Sequence, residues 1–150
     1  MKHENDQIRK IMISINQIDG VYYRWARKIG LPGNMLALLY ALSDGKSYSQ
    51  KQISEEWLIP KTTINTVIKE CILKGYVVLQ QEPHTKEKMV CLTDAGKEYT
   101  EDLMEHIRLI EREAFHHVQE QYPIDFPEIF EAFAHQLKLA YEANNMEINK

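Results

Sequence analysis

One short stretch of the 150-residue sequence concentrates side chains that suit contact with a nucleic acid. Between residues 61 and 69, apolar residues recur at helical spacing and form one face of a predicted helix. Small, polar and basic residues occupy the other face. These residues are Lys61, Thr62, Thr63, Asn65, Thr66 and Lys69. Threonine and asparagine can bond base edges or phosphates, and lysine neutralises phosphates. The pattern suits a helix lying in the DNA major groove, although a polar face turned to solvent has the same composition.

The flanking residues predict that this face belongs to the second helix of a helix-turn-helix. Ser49-Gln50-Lys51-Gln52 has the pattern of a capping box and begins a short first helix, so Ser49, Gln50 and Lys51 are also candidate DNA contacts. The inner face of that helix is predicted to be Ile53, Trp57 and Leu58. Pro60 ends it, because the residue before a proline is disfavoured in a helix. The inner face of the second helix is predicted to be Ile64, Val67, Ile68, Cys71 and Ile72.

A two-stranded hairpin should follow as a wing. Residues 76–81 and 88–92 have strand composition, and the polar residues 82–87 between them contain Pro83. The basic side chains near the tip that could meet DNA are His84, Lys86 and Lys88. Thr93 is a suitable cap for a long helix to about residue 121.

Long helices are predicted on both sides of this module. Over residues 5–29, apolar residues recur in alternating steps of three and four, a heptad seam suited to packing on another helix. They are Ile8, Ile11, Ile15, Ile18, Tyr22, Trp25 and Ile29. Residues 34–42 are apolar nearly all round and should be buried. A last helix should turn Ile129, Phe130, Phe133, Leu137, Ala140 and Tyr141 inward. The predicted fold is mainly α with a small β-hairpin wing: one domain over residues 1–150, with the winged helix-turn-helix at 34–92.

Charge and composition narrow the functional class. The net charge of −4 argues against nucleic-acid binding, but residues 93–150 hold 13 Asp/Glu against 5 Lys/Arg, whereas residues 46–92 hold 7 Lys against 5 Glu. Local potential decides phosphate contact, so a binding face would lie outside the acidic third. No apolar run approaches the roughly 18 residues of a membrane helix. Two cysteines are too few for a disulfide framework, and a cytoplasmic location is expected.

Two runs of the sequence resemble the MarR family of bacterial winged helix-turn-helix transcriptional regulators. They are SQKQISEEWLIPKTTINTVIKECILKGYV at 49–77 and MVCLTDAGKEY at 89–99, and the second aligns Leu92, Thr93 and Gly96 with the family's strand-to-helix junction. The resemblance implies a homodimeric repressor that binds a palindromic operator in double-stranded DNA. It also implies that the helices at 5–29 and 93–145 form the dimer, and that a small ligand modulates DNA affinity.

The wing tip departs from the family pattern. Many members have Asp-x-Arg there, and the resemblance aligns its Asp with His84 and its Arg with Lys86. Lysine still neutralises phosphate, but it lacks the flat guanidinium fork that suits a narrow minor groove.

Aromatic and basic residues crowd the end of the first helix. Tyr22, Tyr23, Trp25 and Arg27 suggest a ligand site for a small aromatic anion. The same residues are equally consistent with core aromatics beside surface arginines.

Other functional classes find less support in the residues. His106, His116 and His117 lack a metal-ligand spacing, since adjacent residues of a helix point about 100° apart. No phosphate-binding glycine loop or nucleophile elbow is present, so the sequence predicts no enzyme, no metal and no cofactor. Two alternatives remain open. One is a winged helix that binds protein without an operator, and the other is a metal- or redox-responsive regulator of the same fold, in which Cys71, Cys91 or the histidines would be the sensing residues.

Overall fold

A computed structural model describes the backbone of residues 1–148 and the side chains of residues 1–144. Within that range the chain forms six helices and three short strands. The helices are α1 (Lys2–Ile29), α2 (Gly33–Leu42), α3 (Gln50–Trp57), α4 (Lys61–Leu73), α5 (Asp94–Gln121) and α6 (Phe126–Ile148). The strands are β1 (Tyr48–Ser49), β2 (Val77–Gln81) and β3 (Lys88–Leu92). The mainly helical winged fold expected from the sequence is confirmed.

The chain divides into two compact units, with the boundary at residues 105 and 106, inside α5. The sequence predicts one domain and contains no proline or glycine at this boundary to mark it. None of the helices within residues 1–148 is long and apolar enough to cross a membrane.

The core of the first unit is built around α2. Six of its ten residues are buried, as the absence of a polar face predicts. Ile53 of α3 and four residues of α4 are buried as well: Ile64, Val67, Ile68 and Cys71. This apolar cluster, remote from the polar face of α4, holds the helix-turn-helix together.

Three residues predicted to face this core are exposed instead: Trp57, Leu58 and Ile72. Leu58 is 86% exposed because it adopts a left-handed conformation with φ of 49°, and Ile59 is buried in its place. The Ser54 hydroxyl donates to the Ile59 carbonyl and stabilises this turn. At this turn Leu58 is therefore exposed and Ile59 is buried, whereas the helical period predicts that Leu58 is buried.

The sheet has three strands in the order β1-β3-β2, all antiparallel, where the sequence predicts two. The missed strand β1 pairs Tyr48 with Val90 and Ser49 with Met89. Two residues are too few to show the alternation that identifies a strand. In the wing itself, Val77 pairs with Leu92 and Gln81 with Lys88.

A compact hydrogen-bonded junction joins the wing to α5. The Thr93 hydroxyl donates to the Gly75 carbonyl at 2.5 Å and accepts the Gly96 amide at 2.9 Å. A Cβ atom on Gly96 would lie 1.9 Å from the carbonyl oxygen of Tyr76, so only glycine fits. The Tyr76 ring stacks on Tyr99 at a centroid distance of 4.3 Å. These contacts give the physical reason for the threonine and glycine of the LTDAG segment.

The terminal helices leave apolar residues in contact with solvent. In α1 only Trp25 and Ala26 are buried, and Ile8, Ile18 and Ile29 of the heptad seam are exposed. In the second unit, five of the six residues predicted to face inward are exposed: Ile129, Phe130, Leu137, Ala140 and Tyr141. Ile110 and Val118 of α5 are exposed too. Within each unit, these apolar side chains are exposed among the residues that the structure describes.

Candidate nucleic-acid interface and aromatic pocket

The polar face of α4 is accessible along the whole helix. Pro60 precedes its first residue and, together with the left-handed Leu58, sets the abrupt entry of the chain. The exposed members of the face are Lys61, Thr62, Asn65, Thr66 and Lys69, and Thr63 is half-buried. The Thr66 hydroxyl donates to the Thr62 carbonyl at 3.1 Å, so it can offer a ligand only its acceptor lone pairs.

Ser49 differs from the other residues predicted to contact DNA, because its side chain is buried. It is 3% exposed, and its hydroxyl accepts the Gln52 amide at 3.1 Å. The Gln52 side-chain oxygen accepts the Ser49 amide at 2.8 Å, which completes the predicted capping box. Since the hydroxyl is buried in this cap, the role of Ser49 that the structure shows is to begin α3 beside the groove.

The start of α3 nevertheless contributes to the surface. Gln50 is half-buried and donates to the Lys61 carbonyl at 3.4 Å, which ties the first turn of α3 to the first turn of α4. Lys51 is exposed, with its ammonium 4.0 Å from the Glu55 carboxylate. This exposed ion pair is weak, so Lys51 remains available to an anionic ligand.

The wing brings its own basic residues to the surface. In its turn, Gln81 donates to the Thr85 carbonyl and the Thr85 hydroxyl accepts the Glu87 amide. His84, Lys86 and Lys88 are all exposed. A shallow groove of about 330 Å³ separates the wing from the first turns of α3 and α4. The residues that line it are Ser49, Gln50, Lys51, Lys61, Leu79, Glu87 and Lys88.

The structure therefore brings three of the predicted lysines, Lys51, Lys61 and Lys88, to one groove beside the polar face of α4. His84 and Lys86 lie outside the groove, at the wing turn, and Lys69 lies two turns further along α4. The polar helix face, the groove with its three lysines and the wing turn with Lys86 can together engage an anionic polymer that is wider than any one of them.

A second feature is an aromatic pocket of about 460 Å³ between α1, α2 and α3. It is lined by Asp19, Tyr22, Tyr23, Gly33, Leu36, Ala37, Tyr40 and Trp57. Of the four predicted ligand residues, Tyr22 and Tyr23 line it. Trp25 is buried in the core, and Arg27 lies outside the lining with its guanidinium 5.9 Å from the centre of the Tyr23 ring.

Sequence reasoning missed Asp19, Tyr40 and Trp57 as pocket residues. The Tyr40 ring meets Tyr22 edge-on at 6.0 Å and Trp57 at 5.4 Å. The signal in the sequence was compositional, because Tyr40 interrupts an aliphatic helix and Trp57 ends a polar one. No local pattern indicates that these rings meet.

Both cysteines are buried, and the histidines form no metal cluster in the part of the chain that the structure describes. Cys71 is fully buried in the core, and burial raises the pKa of its thiol to about 11. Cys91 is buried in β3, with its sulfur 3.0 Å from the Ser47 hydroxyl. Among the side chains of residues 1–144, no three His, Cys, Asp or Glu come together as metal ligands. The high pKa of Cys71 disfavours the thiolate that redox chemistry needs.

The capped α3, the abrupt turn, the amphipathic α4 and the adjoining antiparallel wing define a winged helix-turn-helix protein. A sequence model described as the MarR family matches residues 29–86, which span α2, β1, α3, α4 and β2. The segment at residues 29–86 is a match to the MarR family of transcriptional regulators, and the family prediction made from the sequence is confirmed for that segment.

Solved structures extend the similarity beyond the matched segment. The structure of NMB1585, a MarR family regulator from Neisseria meningitidis, has a TM-score of 0.77 and 26% identity, covering 92% of this chain and 98% of that one. Reduced AbfR of Staphylococcus epidermidis bound to DNA has a TM-score of 0.65 and 17% identity, over 95% of this chain and 97% of the other.

A MarR family regulator from Listeria monocytogenes complexed with 26mer DNA has a TM-score of 0.58 and 15% identity, over 90% of this chain and 87% of the other. At these lower identities the likeness concerns the fold alone. A search of the curated proteins finds no significant match to the sequence.

Proposed function

We propose that this chain is a homodimeric, DNA-binding transcriptional repressor whose affinity for its operator is modulated by a small ligand. The observation that carries the DNA-binding part is the exposed polar and basic face of α4, which lies beside a groove lined by Lys51, Lys61 and Lys88. Two solved relatives of the same fold are bound to DNA, which supports this use of the face.

The contacts divide into two kinds. Thr62 and Asn65 lie on the first two turns of α4, where a helix in the major groove meets base edges, so they are the proposed sequence-reading residues. The groove lysines, with Lys69, His84 and Lys86, are the proposed backbone contacts. Thr63 and Thr66 have less reach, because one is half-buried and the other is bonded within its helix.

The proposed dimer would bury the exposed apolar residues of the terminal helices. Ile8 and Ile18 belong to a heptad seam, and a second copy would present the same seam with two-fold symmetry. Burying them would stabilise the dimer by about 25 cal/mol for each Å² of apolar surface removed from water. Two-fold symmetry would also place two α4 helices on one operator and so predict a palindrome.

The test is selection of DNA by the full-length protein from a random duplex pool, followed by footprinting on the DNA flanking its own gene. The expected product is one enriched inverted repeat whose half-sites lie about one helical turn apart. The matched control is the double variant Thr62→Ala with Asn65→Ala, which should bind the pool without enrichment. A native protein that enriches nothing, with affinity insensitive to salt, would favour the protein-binding winged helix instead.

A further inference from the structure

The aromatic pocket is chemically unlike a site for an anion. Four aromatic rings line it, those of Tyr22, Tyr23, Tyr40 and Trp57, and the charged residue of its lining is Asp19. An aromatic ring has a negative face, so the rings and the carboxylate present the same sign to a bound molecule. This arrangement attracts a cation and disfavours the aromatic anion expected from the sequence.

The placement of the charged and aromatic groups follows from helix geometry. Asp19, Tyr22 and Tyr23 are three and four residues apart on α1 and therefore share one face. Tyr40 and Trp57 close the opposite side, with their rings tilted by 59° at a centroid distance of 5.4 Å. Tyr23 is 61% exposed and Trp57 is 40% exposed, so both rings have surface free for contact with a ligand.

The chain itself shows a cation on one of these rings. The Arg27 guanidinium lies over Tyr23, 5.9 Å from the ring centre. Asp19 lines the cavity and takes part in no ion pair among the side chains described. Its carboxylate is therefore available to a positively charged ligand.

We infer that the pocket binds an organic cation of modest size that has an apolar or aromatic body, such as an arylalkyl ammonium. A volume of about 460 Å³ falls within the ordinary range for small-ligand pockets. Gly33 adds no side chain to the wall, and a Cβ built there meets no atom within 4 Å, so the cavity is open at that point.

The pocket also connects the ligand to the DNA-reading helix. Trp57 is the last residue of α3 and is separated from α4 only by Leu58, Ile59 and Pro60. A cation held against the exposed part of the Trp57 ring therefore contacts the helix that precedes α4. This regulatory consequence rests on the proposed DNA-binding function, whereas binding of the cation does not.

Calorimetry on the full-length protein at constant ionic strength tests the ligand class, with benzyltrimethylammonium, benzyl alcohol and benzoate as probes. The ammonium should bind about tenfold more tightly than the neutral and anionic probes. Asp19→Asn should weaken ammonium binding about fivefold or more without affecting benzyl alcohol. The matched control is Asp6→Asn, which makes the same change of charge on an exposed position of α1 outside the pocket.

Two further variants separate charge from shape. Asp19→Lys should shift the preference toward benzoate, and Trp57→Leu should reduce ammonium affinity while leaving Asp19 in place. The inference is overturned if native protein prefers benzoate, if no probe binds, or if Asp19→Asn and Asp6→Asn behave alike. Binding of the native protein to operator DNA is measured in parallel. If the protein binds the ammonium but no operator, the proposed function alone is refuted. If it binds an operator but not the ammonium, this inference alone is refuted.

Discussion

The first two helices are adjacent in sequence and contact each other in the same unit, yet they differ sharply in burial. α2 buries six of its ten residues, whereas α1 buries only Trp25 and Ala26 of its 28. α2 is apolar nearly all round, so its own chain must surround it. α1 confines its apolar residues mainly to a heptad seam, which only a further helix can cover. The two helices thus separate residues that fold the chain from residues that we propose assemble it.

Truncation of one leucine in the buried helix should have the largest effect. Leu39 is fully buried, so Leu39→Ala should lower the free energy of unfolding by about 2–5 kcal/mol. Ile18→Ala in α1, at a position 48% exposed, should cost about 1 kcal/mol or less in dilute protein. Urea denaturation of both variants measures the difference. Equal losses in dilute protein would contradict the contrast between the two helices.

A charge on the α1 seam should act on assembly and leave the fold intact. Ile18→Glu should weaken dimerisation by about tenfold or more, because a buried unpaired carboxylate would replace an apolar contact. Gln17→Glu is the matched control, since it adds the same charge one position away and outside the seam. Sedimentation equilibrium over a range of concentrations reports both. A native chain that is monomeric at micromolar concentration would refute the dimer.

Within α4, one face is buried in the core and the opposite face, which includes Asn65, is exposed. Asn65→Ala should lower affinity for the selected operator by about 1–3 kcal/mol if its amide bonds a base edge, with little effect on random duplex. Asn16→Ala on α1 controls for loss of an exposed amide. Fluorescence anisotropy on both DNAs gives the values. If both affinities fall equally, Asn65 positions the backbone and reads no base.

The smallest expected change is at the wing turn. Lys86→Ala should reduce the slope of log affinity against log salt by about 0.9 for each phosphate that the lysine neutralises, and by twice that if both protomers engage. Lys86→Arg should strengthen binding most where the minor groove is narrow and A·T-rich. Lys10→Ala on α1 is the control for removal of one exposed cation. An unchanged slope would remove Lys86, and His84 beside it, from the proposed interface.

Local chemistry was sufficient to predict most of the helices. Hydrogen bonds between residues a few positions apart form the capping box of α3 and the Thr93 cap of α5. The end of α4 depends on the left-handed conformation of Gly75. For that reason the sequence by itself determined the order of these elements and the polar face of α4. The winged-helix class follows from that order together with the family resemblance.

Only the tertiary structure decided what those elements bring together. β1 exists because Tyr48 and Ser49 find a partner in β3, about forty residues away along the chain. The Ser49 hydroxyl is buried in the cap of α3, and at a left-handed turn Leu58 is exposed while Ile59 is buried. The aromatic pocket joins Asp19, Tyr40 and Trp57 from three helices, and its charge is opposite to the one expected from Arg27. Periodicity specifies which face of a helix is apolar, but the neighbour of that face is set by packing between distant segments.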